Sequence, residues 1–141
     1  LYIYGSGNKE MEIVKYLESL NSTNIFFKGF LENENKKEVL SSADYLISLG
    51  AADFNLTVIE ALYLKIPVLS TNVGHMNQIF PNDVLAEKNN LASLTKLLEE
   101  YVDDINLLNQ DAIFEYVKEE FSLEEKILQT VSVYEDLLQS W

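Results

Sequence analysis

Along the first ninety residues, short apolar runs alternate with segments of helical period. Leu1–Tyr4 is apolar and rich in β-formers, and Gly5-Ser6-Gly7 stops it, so it reads as a strand. Asn8 stands where it would cap a helix to about Leu20, with Met11, Val14, Tyr16, Leu17 and Leu20 mostly on one face. Asn24–Phe30 is a second strand, Glu34–Ser42 a short helix and Tyr45–Leu49 a third strand ending at Gly50. A helix from Leu56 to Leu64 follows, with Asn55 as its cap. Pro67–Ser70 reads as a short strand, since the first residue of a strand tolerates proline. Gln78 and its neighbours form a brief turn or helix, and Asp83–Ala86 is a fifth strand. The remainder is helical: Leu91–Asp103, Leu107–Phe121, and a last helix to about Leu138. Ser122 and Glu125 have the spacing of a capping box at the start of that last helix.

Strand–helix alternation at this spacing implies βαβ units, hence an α/β fold with a parallel sheet flanked by helices. Ligands of such sheets sit beyond the carboxyl ends of the strands. That directs attention to the loops Gly5–Asn8, Phe30–Asn33, Gly50–Asn55 and Thr71–Asn77.

Composition narrows the function classes. The 141 residues suit one domain spanning 1–141, and no apolar run approaches the roughly 20 residues a bilayer span needs. The absence of cysteine excludes a disulfide scaffold, a Cys-ligated zinc site and a thiol nucleophile. No signal peptide is visible, which fits a cytoplasmic location. The chain opens on Leu1 rather than Met, which points to a piece of something longer. The net charge is −13 without a single arginine, and residues 81–141 carry four Lys against fourteen acids. A phosphate backbone is repelled by such a surface, so nucleic acid is not an expected partner.

Four features can carry chemistry. Gly5-Ser6-Gly7 lets backbone approach a ligand ahead of a helix N-terminus, although Glu10 stands where a dinucleotide fingerprint needs its third glycine. A tight strand–helix turn explains the same residues. The segment 51–57, Ala-Ala-Asp-Phe-Asn-Leu-Thr, joins a buried strand to a helix. The amides of Leu56, Thr57 and Val58 there can hold a diphosphate without arginine, or Asn55 can simply cap the helix. Glu60 is the only charge between Asn55 and Leu64. Its carboxylate can accept hydrogen bonds from vicinal hydroxyls, as acidic residues do for ribose, or it can be a solvated residue on the polar helix face. His75, the only histidine, can serve as a base or donor, or be a solvated loop residue. No Asp-x-Asp pair and no His or Cys cluster offers a metal site.

The stretches LYIYGSG, NIFFKGFL, SADYLISL and FNLTVIEALYLKIPVLSTNVGHMNQI resemble the C-terminal lobe of GT-B glycosyltransferases of the GT4 family (glycosyl transferases group 1). The resemblance implies a Rossmann-like domain that binds a nucleotide-diphosphate sugar as co-substrate, with no other cofactor. It also implies a retaining, metal-independent transfer and a missing N-terminal lobe that carries the acceptor. Carried over by position, Glu60 matches the second Glu of the family's Glu-x7-Glu motif, which holds the ribose. Phe54, Asn55, Leu56 and Thr57 match the loop whose amides hold the diphosphate. Phe30 and Leu31 match the segment beside the base, and Gly5 and Gly7 match the glycine-rich turn facing the interlobe cleft. Ala52 stands where the first Glu of the motif falls, and the adjacent Asp53 is the residue expected to touch the sugar. Asn55 and Lys65 each replace a glycine, and His75-Met76-Asn77-Gln78 stands in place of Gly-x-Pro-Glu. These departures keep two rivals open: a catalytically inactive GT-B-like subunit that binds a partner glycosyltransferase or glycoprotein substrate, and another nucleotide-sugar enzyme of similar fold such as an epimerase.

Overall fold

The computed structural model describes residues 1–50, 54–81, 84–104 and 110–139. The chain forms two compact units, Leu1–Val39 and Leu40–Trp141.

In the first unit, strand β1 (Tyr2–Tyr4) leads through the glycine turn to helix α1 (Glu10–Ser19) and strand β2 (Phe26–Gly29). β1 and β2 pair in parallel, with Tyr2 beside Phe26 and Ile3 beside Phe27, and the register shifts before Tyr4 meets Gly29. Side chains alternate across a strand, so Ile3 and Phe27 turn inward while Tyr2 and Phe26 are exposed and stack at 5.5 Å. Lys28 Nζ lies 5.3 Å from the centre of the Tyr2 ring on the same face. The expected cap at Asn8 is not made. α1 begins one turn position later, with Lys9 at the N-cap and no side-chain cap hydrogen bond. The apolar face of α1 is narrower than its sequence suggests: Val14 and Leu17 are half-buried, while Met11, Tyr16 and Leu20 stay exposed.

Helix α2 (Asn33–Ser41) leads into the second unit, which contains β3 (Leu46–Ser48), α3 (Leu56–Tyr63), β4 (Val68–Thr71), α4 (Met76–Ile79), β5 (Leu85–Ala86), α5 (Leu91–Tyr101), α6 (Asp111–Glu120) and α7 (Leu123–Gln139). The strands form a second parallel sheet in the order β3-β4-β5, with Ser48 beside Ser70 and Thr71 beside Ala86. The strands therefore make two hydrogen-bonded sheets, one per unit.

β4 is buried along its whole length, and its alternation divides the core. Val68 joins the cluster built from α3, α4 and α6, with Val58, Leu62, Met76, Phe114 and Val117. Leu69 joins the cluster under α5, with Ala86, Leu97 and Tyr101. Helices thus cover both faces of this sheet, as the βαβ alternation predicts. α6 is described from Asp111 rather than Leu107, and the intervening 107–109 lie outside the described residues. The Ser122 cap on α7 is long, at 3.5 Å to the Glu125 amide. Among the described residues no helix is long and apolar enough to cross a membrane.

Candidate functional site

The glycine turn of the first unit sits where β1 ends. Gly5 and Gly7 carry φ of +153° and +156°, a backbone conformation that side-chain-bearing residues rarely adopt. The space where a Cβ would stand is open at both. Conformation, not crowding, is therefore what selects glycine here. The Gly5 N–H donates to the Gly29 carbonyl at 2.8 Å, which holds the turn beside the end of β2. Phe30 and Leu31 follow directly, Phe30 exposed and Leu31 half-buried. The turn lines a concavity of about 240 Å³ together with Ile13 and Phe27. Four expected residues, Gly5, Gly7, Phe30 and Leu31, are thus grouped at one end of the β1–β2 ladder.

The second unit groups Phe54, Asn55, Leu56, Thr57 and Glu60 around the start of α3. Asn55 has extended backbone, with φ −112° and ψ 97°, and its Oδ1 accepts from the Thr57 N–H at 3.1 Å. That is the N-cap geometry its sequence position predicts. Its Nδ2 donates to Ser48 Oγ, at the end of β3, at 2.9 Å. Ser70 Oγ, from β4, in turn donates to the Ser48 carbonyl at 3.2 Å. A chain of hydrogen bonds therefore runs from β4 through β3 to the first turn of α3. Gly50 makes room for it, since a Cβ there would stand 3.0 Å from Asn55 Nδ2.

The hydrogen bonding of the helix start corrects one expectation. Of the three amides expected to face a ligand, Thr57 is committed to the Asn55 side chain. Val58 donates to the Asn55 carbonyl at 3.1 Å. The Leu56 N–H, at the first position of the helix, has no partner within α3, and neither it nor the Asn55 N–H donates to a described residue. The Asn55 side chain thus occupies one donor, the Thr57 amide, that a glycine in its place would leave open.

Glu60 lies one helical turn beyond. Its side chain is half-buried and Oε2 is shielded from solvent, so it is not the fully solvated residue of a polar helix face. Phe54 packs its ring edge-on to His75, with centroids 6.0 Å apart, and against Phe121 at 5.8 Å. His75 is exposed and stands at the N-cap of α4 without a side-chain cap bond. Asp53, expected to touch the sugar, and Ala52 lie outside the described residues. Among the described residues no group of three or more His, Asp or Glu side chains is placed to hold a metal ion.

Ser48 was not legible as a site residue in the sequence. In isolation it is a small residue inside a buried strand, and only the position of Asn55 gives it a partner.

Parallel strands alternating with helices define an α/β protein. The chain belongs to the glycosyl transferases group 1 family, whose profile matches residues 1–116. Its fold is similar to that of a solved GT-B glycosyltransferase, a glycine-to-arginine mutant of S. aureus TarM in complex with Fondaparinux, alpha-GlcNAc-glycerol and UDP. The TM-score is 0.78 at 23% identity, over 94% of this chain and 28% of that one. The chain thus spans little more than a quarter of the length of the protein it superposes on. No curated protein matches the chain significantly in sequence.

Proposed function

We propose that residues 1–141 are the C-terminal, donor-binding domain of a retaining GT4-type glycosyltransferase, acting from the cytoplasm on a nucleotide-diphosphate sugar. The observation that carries this reading is the start of α3. A helix of eight residues follows the carboxyl end of a largely half-buried parallel strand, β3, and carries one half-buried carboxylate one turn in. Family membership supports it, and so does UDP in the similar TarM structure.

In this reading the amides of Asn55 and Leu56, aided by the α3 dipole, hold the leaving diphosphate. Charge that develops on that diphosphate during transfer meets fixed donors that need no reorganisation. Glu60 accepts hydrogen bonds from the two ribose hydroxyls. Phe30 and Leu31 lie beside the base, Gly5 and Gly7 face the cleft toward a missing N-terminal lobe that binds the acceptor, and Asp53 touches the sugar. Positioning between lobes supplies most of the rate, so the 141-residue chain alone transfers no sugar at a useful rate. Binding of the donor requires no divalent metal.

Ala52, in the position of the family's first acidic residue, favours a second reading: an inactive subunit that binds a partner glycosyltransferase or a glycoprotein substrate. Calorimetric titration of the chain with UDP and with GDP in EDTA tests the proposal. Saturable binding of either supports it. Binding that appears only with magnesium or manganese contradicts the proposed phosphate site, and no binding under any of these conditions contradicts nucleotide recognition altogether.

A further inference from the structure

The side chain of Asn55 spends both its hydrogen-bonding groups inside the protein: Oδ1 on the Thr57 N–H and Nδ2 on Ser48 Oγ. An amide committed at both ends does not reach for a ligand. It works as a strut between the end of β3 and the first turn of α3. The orientation is forced, because only Oδ1 can accept from the Thr57 amide, so Nδ2 must face Ser48. Ser48 is itself held in the sheet. It is buried, pairs with Ser70 in the β3–β4 ladder, and its carbonyl accepts from Ser70 Oγ.

We propose that Ser48 is a positioning residue for the donor site: acting through Asn55, it fixes the first turn of α3, and Gly50 is small so that this contact can form. The inference rests on the donor-binding reading of α3. Without the Ser48 anchor, Asn55 is free to turn about its side-chain torsions, and its Oδ1 no longer keeps the Thr57 amide occupied. The first turn of α3 then loses its fixed geometry. Since preorganised donors bind an anion better than donors that must first be ordered, the consequence is weaker nucleotide binding rather than a lost fold.

The test is a double-mutant cycle on UDP affinity with the 141-residue chain. Ser48→Ala should weaken UDP about three- to tenfold, the effect of one neutral hydrogen bond. Ser48→Thr, which keeps the hydroxyl, should restore most of the loss. In an Asn55→Ala background, Ser48→Ala should have no further effect, because the anchor then has nothing to hold. Gly50→Ala should weaken UDP to a similar degree while leaving every hydrogen-bonding group in place, and it serves also where Ser48→Ala does not fold. Hydrogen exchange at the Thr57 amide should speed up in Ser48→Ala even without ligand. If wild type binds UDP and Ser48→Ala binds it equally well, or if the two single losses simply add, the positioning role is overturned while the donor-site reading stands. If wild type does not bind UDP, both fall.

Discussion

The side-chain amide of Gln110 closes both backbone hydrogen bonds of Val68. Its Oε1 accepts from the Val68 N–H and its Nε2 donates to the Val68 carbonyl, each at 2.8 Å. β5 pairs with β4 only at Ser70 and Thr71, so among the described residues the start of β4 has no strand beside it on that side. Gln110 stands in for one residue of a strand. It is almost wholly buried, which makes the pair of bonds costly to lose.

Gln110→Leu keeps the size and removes the partners of two buried backbone groups, the Val68 N–H and C=O. Each unsatisfied group costs about 1–3 kcal/mol, so the variant should lose roughly 2–6 kcal/mol of stability. Urea unfolding followed by circular dichroism measures it. A change below about 1 kcal/mol, within the range of ordinary surface substitutions, would mean that water or backbone rearrangement satisfies Val68 instead.

Lys65 explains one departure from the family's glycine pattern. Its φ is +60°, and it closes α3 in a Schellman motif, with Ile66 N–H on the Ala61 carbonyl and Lys65 N–H on the Leu62 carbonyl, both at 2.9 Å. A residue with a Cβ is strained in that conformation by roughly 1–2 kcal/mol. Its ion pair with Glu115, at 4.0 Å and well exposed, offsets little of this. Lys65→Gly should therefore stabilise the chain by about 0.5–1 kcal/mol, after the greater freedom of glycine in the unfolded chain is counted. A rise of a few degrees in Tm is the expected readout, and a fall would show that the lysine side chain contributes packing not evident from its exposure.

Asn55→Asp separates capping from anion binding. Aspartate caps a helix as well as asparagine does, and a negative charge at a helix N-terminus is favourable by about 0.3–1 kcal/mol. Ser48 can then donate where it now accepts. Stability should hold or rise slightly. A diphosphate at the Asn55 and Leu56 amides would face a new negative charge a few ångströms away, worth about 1–4 kcal/mol of repulsion, so UDP affinity should fall tenfold or more. Unchanged affinity in a well-folded variant would place the phosphates elsewhere.

Much of the fold was legible because strands and helices leave different periods. Tyr45–Leu49 and Pro67–Ser70 read as strands and correspond to β3 and β4, displaced by a residue at their ends. The Asn55 cap was legible because a short polar side chain ahead of an apolar helical period has one favourable use. Asn8 misled for the same reason: it has the right chemistry, but the turn from Gly7 delivers the helix start to Glu10. The relation of Asn55 to Ser48 was hidden, because nothing along the chain marks which buried serine a cap will meet. So was the committed state of the Thr57 amide, which depends on how the cap is turned rather than on which residues are present. The role of Gln110 was equally hidden, since a glutamine ahead of a helix reads as a surface residue until the gap beside Val68 is seen.

In the proposed donor-binding reading, recognition of the nucleoside turns on Glu60. The measurement that tests it most directly is the affinity of UDP for Glu60→Gln against wild type, in EDTA, with thermal melts of both as the folding control. The substitution keeps the shape of the side chain and removes its charge. Hydrogen bonds to a charged group are worth about 1.5–3 kcal/mol, so the loss should weaken UDP about tenfold or more, with Tm nearly unchanged. Equal affinity in two well-folded proteins would contradict ribose recognition by Glu60 and, with it, the donor-binding account of this chain.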